Sequence, residues 1–298
     1  MPMKFRAHDT FFIRKGWLSK GMRNVVEHED VFVTKDKDRN PMDVLGIGAN
    51  MVKALRYWLP VVGLTKEATK GRRIQSLTDF GELVFRMDPY IEELGTLWLL
   101  QYHLATKRED ATAWYYFFNE FNMTEFTRED FVQSLQNYII MEQETAAVRS
   151  LNDDFSCIIS TYVPRIKSNP QRISPENNID CPLGELGLID ILSKEGKNIV
   201  YKKSIPPAES INPWVALAII YDRAKGETEI SLNSLLTKPC NIGRIFNLDS
   251  IVMLEVLHRA EKTGLLKIVR TAGLDFIELK KDHSFIECVQ NYYEEIIR

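Results

Sequence analysis

Short segments follow one another in the order helix, strand, turn, strand near the start of the chain. Apolar residues recur at helical spacing from 45 to 59, and Pro60 ends that pattern. Two short strands are predicted next, over 61–65 and 74–77, on either side of a basic turn that contains Gly71. This order is that of the second half of a winged helix, so the pattern favours a compact helical unit with a small β-hairpin.

The C-terminal part of the chain has a related order. Helices are predicted over 211–224 and 230–240, and a third begins after its N-cap Asp249. A strand, a glycine turn and a second strand follow over 265–281. Three helices and a hairpin are typical of a winged helix-turn-helix domain, against which a final helix over 283–298 is expected to pack.

Between these parts the sequence predicts an all-helical middle. Helices are expected after the N-cap Thr78, from Pro89 at a first-turn position, and after Thr127, which stands three residues before Asp130 in a variant of the capping box. The aromatic run 114–118 falls at helical spacing. Such a run is more typical of a core than of a surface that stacks on nucleic-acid bases.

Prolines are concentrated in the segment 164–207, which we interpret as a linker. Two forms are predicted within it. Residues 183–192 and 198–204 pair as a small hairpin, or residues 183–192 form a helical turn. The predicted fold class is therefore mainly α, a helical protein with winged helix-turn-helix units near both ends and small β-hairpin wings. The expected units are an N-terminal winged-helix-like unit, an acidic helical middle, this Pro-rich linker and a C-terminal winged-helix-like unit, over residues 1–80, 81–163, 164–207 and 208–298.

Charge is unevenly distributed, although the formal net charge is only −3. Residues 1–80 contain 15 Lys and Arg against 9 Asp and Glu, whereas 81–160 contain 5 against 14. An asymmetry of this kind predicts a basic surface on the N-terminal unit and an acidic face behind it. Sampling noise is the alternative explanation.

The basic residues of the N-terminal unit are candidates for contacts with duplex DNA. Lysine and arginine can neutralise phosphates, and Asn or Arg in the major groove can read bases. The alternative is that a solvated helix and a turn carry such residues without binding anything. The candidates on the helix are Asn50, Lys53 and Arg56, and those on the wing are Lys66, Lys70, Arg72 and Arg73.

The C-terminal recognition helix is less basic, because Glu255 and Glu261 offset Arg259 and Lys262. We therefore expect this unit to dock partner proteins rather than DNA.

The opening stretch RAHDTFFIRKGWLSKG, residues 6–21, combines a histidine with aromatic and basic residues. No serine or cysteine nucleophile accompanies His8 in a known motif, so a hydrogen-bonded structural histidine is favoured over a catalytic one. The apolar residues are expected to seat this stretch on the first unit. Arg14, Lys15 and Lys20 would then extend its basic face.

The sequence offers no motif for a metal, a cofactor or catalysis. Its four cysteines and five histidines are dispersed, so no zinc site can be written from their spacing. Cys181 is the one thiol that lies in a turn-like loop, where reactivity would be worth testing. No apolar run reaches the roughly 18 residues of a membrane span, and charges occupy the first residues, so a cytoplasmic protein is expected.

Three blocks of the sequence resemble a bacterial family that is classed as a domain of unknown function. The pattern HxTFxxRxGWLxKG is present from His8 to Gly21, and 45–64 and 181–189 are similar to later blocks of the family. Members often lie beside phosphoadenosine-phosphosulfate-reductase-like and cysteine desulfurase genes. The resemblance thus implies DNA phosphorothioate modification or related antiviral defence, and it brings no established catalytic residues.

Together these observations predict a non-enzymatic DNA-binding component of such a system, acting without a cofactor and docking partner proteins. Two alternatives stay open. One is a scaffold that binds only a sulfurtransferase-like enzyme, and the other is an unrecognised metal-dependent nuclease.

Overall fold

The computed structural model describes residues 3–36, 38–164, 180–196, 198–271, 274–280 and 283–297. Helix accounts for 53% of the chain and strand for 12%, which is consistent with the mainly helical class. No helix in the described ranges combines the length and the apolar character that crossing a bilayer requires.

The N-terminal part contains three helices and the predicted hairpin. Its elements are α1 (Trp17–Glu27), α2 (Pro41–Leu45), α3 (Ala49–Val61), β1 (Thr65–Glu67) and β2 (Gln75–Leu77). Helix α1 packs on α3 through Gly21, where a β-carbon would come within 2.8 Å of Leu59. The two strands pair antiparallel from Thr65 opposite Leu77 to Glu67 opposite Gln75.

The middle is helical except for one short strand, so the expectation of an all-helical segment was wrong at that point. Its elements are α4 (Asp79–Met87), α5 (Leu94–Thr106), α6 (Thr112–Asn119), β3 (Glu125–Phe126), α7 (Arg128–Met141) and α8 (Val148–Tyr162). The predicted capping box is present, because Thr127 and Asp130 exchange side-chain and backbone hydrogen bonds. The aromatic run 114–118 is buried, as expected of a core.

The helix predicted from Pro89 begins instead at Leu94. The Asp88 carboxylate accepts hydrogen bonds from the backbone N–H groups of Glu92 and Glu93, at 2.9 and 3.1 Å, and Ile91 adopts a positive φ of 56°. An aspartate that bonds the backbone a few residues ahead stabilises a turn in competition with a helix.

The proline-rich segment contains the hairpin that was one of its two predicted forms, although residues 165–179, including most of its polar part, lie outside the described residues. A 3-10 helix at Pro182–Leu186 precedes β4 (Ile189–Glu195) and β5 (Asn198–Lys203), which pair antiparallel. Strand β5 also pairs with β3, so this hairpin belongs to the sheet of the middle part.

The C-terminal part follows the predicted order with one additional strand and one additional short helix. Its elements are α9 (Pro213–Ala224), β6 (Glu229–Ser231), α10 (Leu232–Thr237), α11 (Ile242–Ile245), α12 (Ser250–Glu261), β7 (Leu266–Thr271), β8 (Leu274–Leu279) and α13 (Phe285–Ile297). The predicted N-cap of α12 is present, since the Asp249 side chain accepts from the N–H of Val252 at 2.8 Å.

The same succession of elements occurs in the middle and in the C-terminal part. In each, a helix, a short strand and further helices lead to a hairpin, and the last strand of the hairpin pairs with the first short strand. The strand orders are β3-β5-β4 and β6-β8-β7. The structure therefore contains two sheets of identical topology in addition to the β1–β2 hairpin.

The last helix ties the C-terminal part to the middle. The N–H of Gly95 donates to Tyr292 Oη at 3.0 Å, and Thr96 Oγ1 lies 2.6 Å from Tyr293 Oη. A β-carbon at Gly95 would lie 2.2 Å from the Tyr292 ring, so only glycine permits this approach. Buried apolar residues form one cluster that extends from Ile13 to Tyr293.

Candidate nucleic-acid interface

Helix α3 presents one polar face to solvent. Its apolar positions, among them Val52, Leu55 and Leu59, are buried, whereas Asn50 and Lys53 are exposed. Lys53 Nζ lies 3.3 Å from Asn50 Oδ1, one turn earlier on the same face. Both candidate residues thus lie side by side on the solvent side of the helix.

The β1–β2 hairpin carries the other candidate cations, with Lys66 on β1 and Lys70, Arg72 and Arg73 between the strands. Lys66 and Lys70 are exposed. Arg72 and Arg73 expose 60% and 72% of their side chains. Gly71 has a positive φ of 73° at the turn, a conformation that glycine adopts without steric cost.

Glu67 connects the helix to the hairpin. Its carboxylate lies 3.0 Å from Arg56 Nε and 2.9 Å from Arg56 Nη2, and it also forms an ion pair with Arg73. The Arg56 backbone oxygen accepts from Gln75 Nε2 at 2.8 Å. Both Arg56 nitrogens approach the same oxygen, Glu67 Oε2, and Arg73 approaches the other oxygen, so the carboxylate lies between two guanidinium groups.

This connection changes the role expected of Arg56. Its side chain is only 28% exposed. Its Nε and Nη2 bond to Glu67, and Nη2 also bonds to the backbone oxygen of Arg73, so these donors are directed to the hairpin. Arg56 is thus placed to position the hairpin relative to α3. Glu67 was missed from the sequence, because nothing in its neighbours along the chain reveals that it meets Arg56.

The opening basic residues lie apart from the hairpin. Arg14 stacks on the rings of Phe11 and Trp17, at 5.8 and 5.3 Å, and Lys20 Nζ donates to the backbone oxygen of Leu45 at 2.9 Å. Strand β2 contacts α1 near the far end of that helix, where the N–H of Gln75 bonds to Glu29. Eleven residues of helix, about 16 Å, separate the two ends.

Exposed Lys15 and half-buried Arg14 therefore form a separate basic group at the start of α1. Lys20 is exposed along its stem while its ammonium satisfies a carbonyl at the end of α2. The structure brings together the candidates of α3 and the hairpin, whereas the opening group lies at the end of α1 that is remote from the contact with β2.

His8 is completely buried and connects the opening stretch to α8. Its Nε2 lies 2.7 Å from Asp154 Oδ1, and its Nδ1 accepts from the N–H of Thr10 at 3.1 Å. Because Nδ1 is an acceptor, Nε2 carries the proton and donates to the carboxylate. The ring stacks on Trp58 with centroids 5.8 Å apart. The preferred structural interpretation of this histidine agrees with these contacts.

The four cysteines are buried. Burial raises the pKa of Cys181 to about 12 and that of Cys157 well above its ordinary value. Such thiols hold almost no thiolate near neutrality and are poor nucleophiles. Cys181, singled out from its loop position, therefore lies in an environment that disfavours reaction.

The outer face of α12 is mixed in character. Ile251 is 68% exposed, and Glu255, His258 and Lys262 are exposed beside it. Arg259 instead donates to the backbone oxygens of Ala208 and Ile211. The described part of the chain contains no group of three metal-ligating side chains.

Comparison with known proteins gives a family and a structural relative. A magnesium ion-bound crystal structure of SspB and a second SspB crystal structure each align with a TM-score of 0.83 at 26% identity, over 98% of this chain and 88% of the solved one. No curated protein matches the sequence. The family model described as "Protein of unknown function (DUF4007)" matches residues 5–293. Since that match spans nearly the whole sequence, the chain belongs to the DUF4007 family.

Proposed function

We propose that this protein binds duplex DNA through α3 and the β1–β2 hairpin, as a component of a DNA phosphorothioation or related antiviral defence system. The observation that carries the proposal is the set of exposed cations on these two elements, which we call the α3–hairpin surface: Lys53, Lys66, Lys70, Arg72 and Arg73. Exposed cations on a rigid support are the usual means by which proteins neutralise DNA phosphates.

The order of elements supports a winged-helix interpretation of this surface. In a winged helix the recognition helix enters the major groove while the hairpin contacts the backbone. Helix α3 would be the recognition helix, with Asn50 and Lys53 directed to the groove. The sheet order β6-β8-β7 supports a winged-helix fold for the C-terminal part, and the sheet of the middle part has the same order, β3-β5-β4.

The biological setting rests on the structural relatives. SspB is a name associated with DNA phosphorothioation, and the likeness covers almost the entire chain. Non-specific binding to the backbone and recognition of phosphorothioate sulfur would both begin at the same contacts to phosphate.

Titration of duplex DNA by electrophoretic shift across a salt series tests the proposal. The expected result is binding at low salt that weakens steeply as salt rises, because counterions are released from the neutralised phosphates. Arg72→Ala combined with Arg73→Ala is expected to weaken binding. Absence of binding at low salt, or unchanged binding by this variant, would overturn the proposal.

Partner docking is assigned to the outer face of α12. Exposed Ile251 beside Glu255 offers an apolar contact next to an acid, which suits a protein surface better than a phosphate backbone. Co-purification with a sulfurtransferase-like protein, such as a phosphoadenosine-phosphosulfate-reductase-like enzyme, is the test. Ile251→Asp should abolish it, and retention of the partner by that variant would contradict the assignment.

Metal-dependent nicking of DNA is a second candidate, favoured by the magnesium ion in the SspB structure. Magnesium is commonly held by one or two carboxylates together with substrate phosphates, so a group of three protein ligands is not required. Incubation of supercoiled plasmid with Mg²⁺ or Mn²⁺ tests this candidate, with EDTA as the control. Nicked product that EDTA abolishes would support it, and intact plasmid would remove it.

A further inference from the structure

A cleft of about 440 Å³ lies between the middle and the C-terminal part, away from the α3–hairpin surface. Its walls come from 121–124 after α6, from the end of β5, and from 236–250 around α11. The volume is within the range, roughly 300–1,000 Å³, that small-molecule sites occupy.

Lys203 lines this cleft at the end of β5. Its Nζ donates to the backbone oxygens of Phe117 and Phe121, at 2.6 and 2.5 Å, and lies 4.6 Å from the centre of the Phe117 ring. An ammonium carries three N–H groups, so one is left over after these two bonds. Burial lowers the pKa of Lys203 to about 7, and the nearby charge of Arg244 adds to the effect.

Arg244 supplies a second cation to the same cleft. Its Nε donates to the backbone oxygen of Thr237 at 3.0 Å, and its Nη1 donates to Asn122 Oδ1 at 2.7 Å. These bonds fix the guanidinium between the two walls and leave Nη2 for another acceptor. Within the described residues, neither Arg244 nor Lys203 forms an ion pair with a carboxylate.

One carboxylate also lines the cleft, that of Asp249. Its Oδ1 accepts from the N–H of Val252 and caps α12. Exposed Ser250 begins that helix at the cleft, where the aligned peptide dipoles place a partial positive charge. This partial charge offsets part of the Asp249 charge, and with Lys203 protonated the cleft carries two cations against one carboxylate.

We propose that this cleft binds a phosphate-bearing ligand of mononucleotide size, with the phosphate between Lys203 and Arg244. Two cations that line one cleft and form no ion pair with a carboxylate are stabilised by an anion that reaches both. The rings and side chains of Phe118, Phe121 and Ile205 provide an apolar wall for the rest of the ligand. The proposal is independent of the DNA interface, since the two surfaces share no residue.

The phosphate could belong to a free nucleotide or to the end of a nucleic-acid strand. Isothermal titration calorimetry of the full chain separates these sources. The probes are the four nucleoside monophosphates, each against its nucleoside, and a 5′-phosphorylated tetrathymidylate against the same strand with a 5′-hydroxyl. Binding of a monophosphate but not of its nucleoside supports a free nucleotide, and preference for the phosphorylated strand supports a strand end. Failure of every phosphorylated probe to bind at millimolar concentration overturns the proposal.

Ser250→Glu tests whether the cleft is the place of binding. A carboxylate at the first position of α12 repels the phosphate, while a helix start favours an acidic residue, so the fold is not weakened. The variant is expected to bind at least ten-fold more weakly. Ser250→Gln is the neutral match, and Lys262→Gln removes a cation at the other end of α12; both should bind as the wild type does. Equal affinity of Ser250→Glu and wild type would contradict the location.

Discussion

At the scale of single residues, the buried pair of His8 and Asp154 explains why the opening stretch is ordered. Asp154 Oδ1 also accepts from the backbone N–H of Arg6 at 2.8 Å, so one carboxylate oxygen satisfies two donors that are far from it in sequence. Burial raises the pKa of Asp154, whereas the bond from His8 opposes that rise. The pair costs desolvation, which the bonds from His8 and Arg6 to Oδ1 partly offset, while Oδ2 is buried without a hydrogen-bond partner among the described residues.

Replacement of Asp154 by Ala is expected to lower the free energy of unfolding by about 2–4 kcal/mol, since the donors of His8 and Arg6 would be left buried without acceptors. Asp153→Ala is the matched control on the same helix. Its side chain is 27% exposed and forms an ion pair with Arg6 at 2.9 Å, so a loss of less than about 1 kcal/mol is expected. Urea unfolding of both variants measures the difference, and equal losses would contradict this account.

His103 is expected to make stability depend on pH in the acidic range. Burial lowers its pKa to about 3 from 6.5, so the unfolded chain binds the proton more readily than the folded chain does. Stability contributed by the neutral ring is complete above pH 6.5 and is lost as pH falls towards 3. The loss is at most about 1.4 kcal/mol per pH unit, and less where water screens the ring.

His103→Phe should flatten this part of the pH profile, because Phe keeps the aromatic contacts with Phe80 and Phe285 but has no proton to bind. The measurement is the free energy of unfolding of the wild type and of the variant between pH 4 and 8. The difference between the two proteins at each pH is compared with their difference at pH 8, and a difference that does not change with pH would refute the assignment to His103.

At the scale of elements, the turn from α3 to β1 depends on a glycine. Gly63 has a φ of 81°, and a β-carbon there would lie 2.5 Å from the His103 ring. The chain can therefore turn from α3 into β1 along this path only with a residue that lacks a side chain at position 63. The hairpin tip differs, because Gly71 also has a positive φ but has open space around it.

Gly63→Ala should consequently destabilise the protein by about 2 kcal/mol or more, from backbone strain and from the clash together. Gly71→Ala should cost only the strain, about 1 kcal/mol. Thermal unfolding followed by circular dichroism distinguishes them. A Gly63→Ala protein as stable as Gly71→Ala would show that the ring moves aside without cost.

Elements that depend on neighbouring residues could be predicted from the sequence. The caps Thr78, Thr127 and Asp249 bond to backbone groups three residues ahead, so their spacing alone reveals helix starts. Strand β3 could not be predicted, because two residues have no pattern of their own and pair only with β5, far along the chain. Local signals likewise place Lys53 and the hairpin cations on the surface.

Side chains that act across the fold had no such signal. Glu67 meets Arg56 eleven positions before it, and Lys203 bonds to carbonyls 86 and 82 positions before it. Arg56 was assigned to DNA because of its position on the helix, whereas its contacts in the structure are with Glu67 on the hairpin. The cleft at Lys203 is formed by three separate segments, so no local pattern in the sequence could predict it.

At the scale of the whole molecule, one apolar cluster connects the opening stretch, the middle and the last helix. Helix α13 buries Cys288, Val289, Tyr292 and Tyr293, and both tyrosines bond to the start of α5. Contacts of this extent couple the stability of the parts. The protein should therefore unfold as one unit.

A single cooperative transition is expected, in which loss of helical circular dichroism and exposure of the buried cysteines to a thiol reagent coincide along a urea titration. Tyr293→Ala should shift both probes by the same amount. Separate midpoints for the two probes would instead indicate parts that unfold independently.

The salt dependence of duplex DNA affinity tests the central claim most directly. Each phosphate contact contributes about −0.9 to the slope of log affinity against log salt, so Lys66→Gln with Lys70→Gln should weaken binding and make the slope shallower by about 2. The matched control, Lys225→Gln with Lys262→Gln, removes the same charge from exposed positions of the C-terminal part and should keep the wild-type slope. Fluorescence anisotropy of a labelled duplex gives all three slopes. Identical slopes and affinities for the two double variants would contradict DNA binding through the α3–hairpin surface.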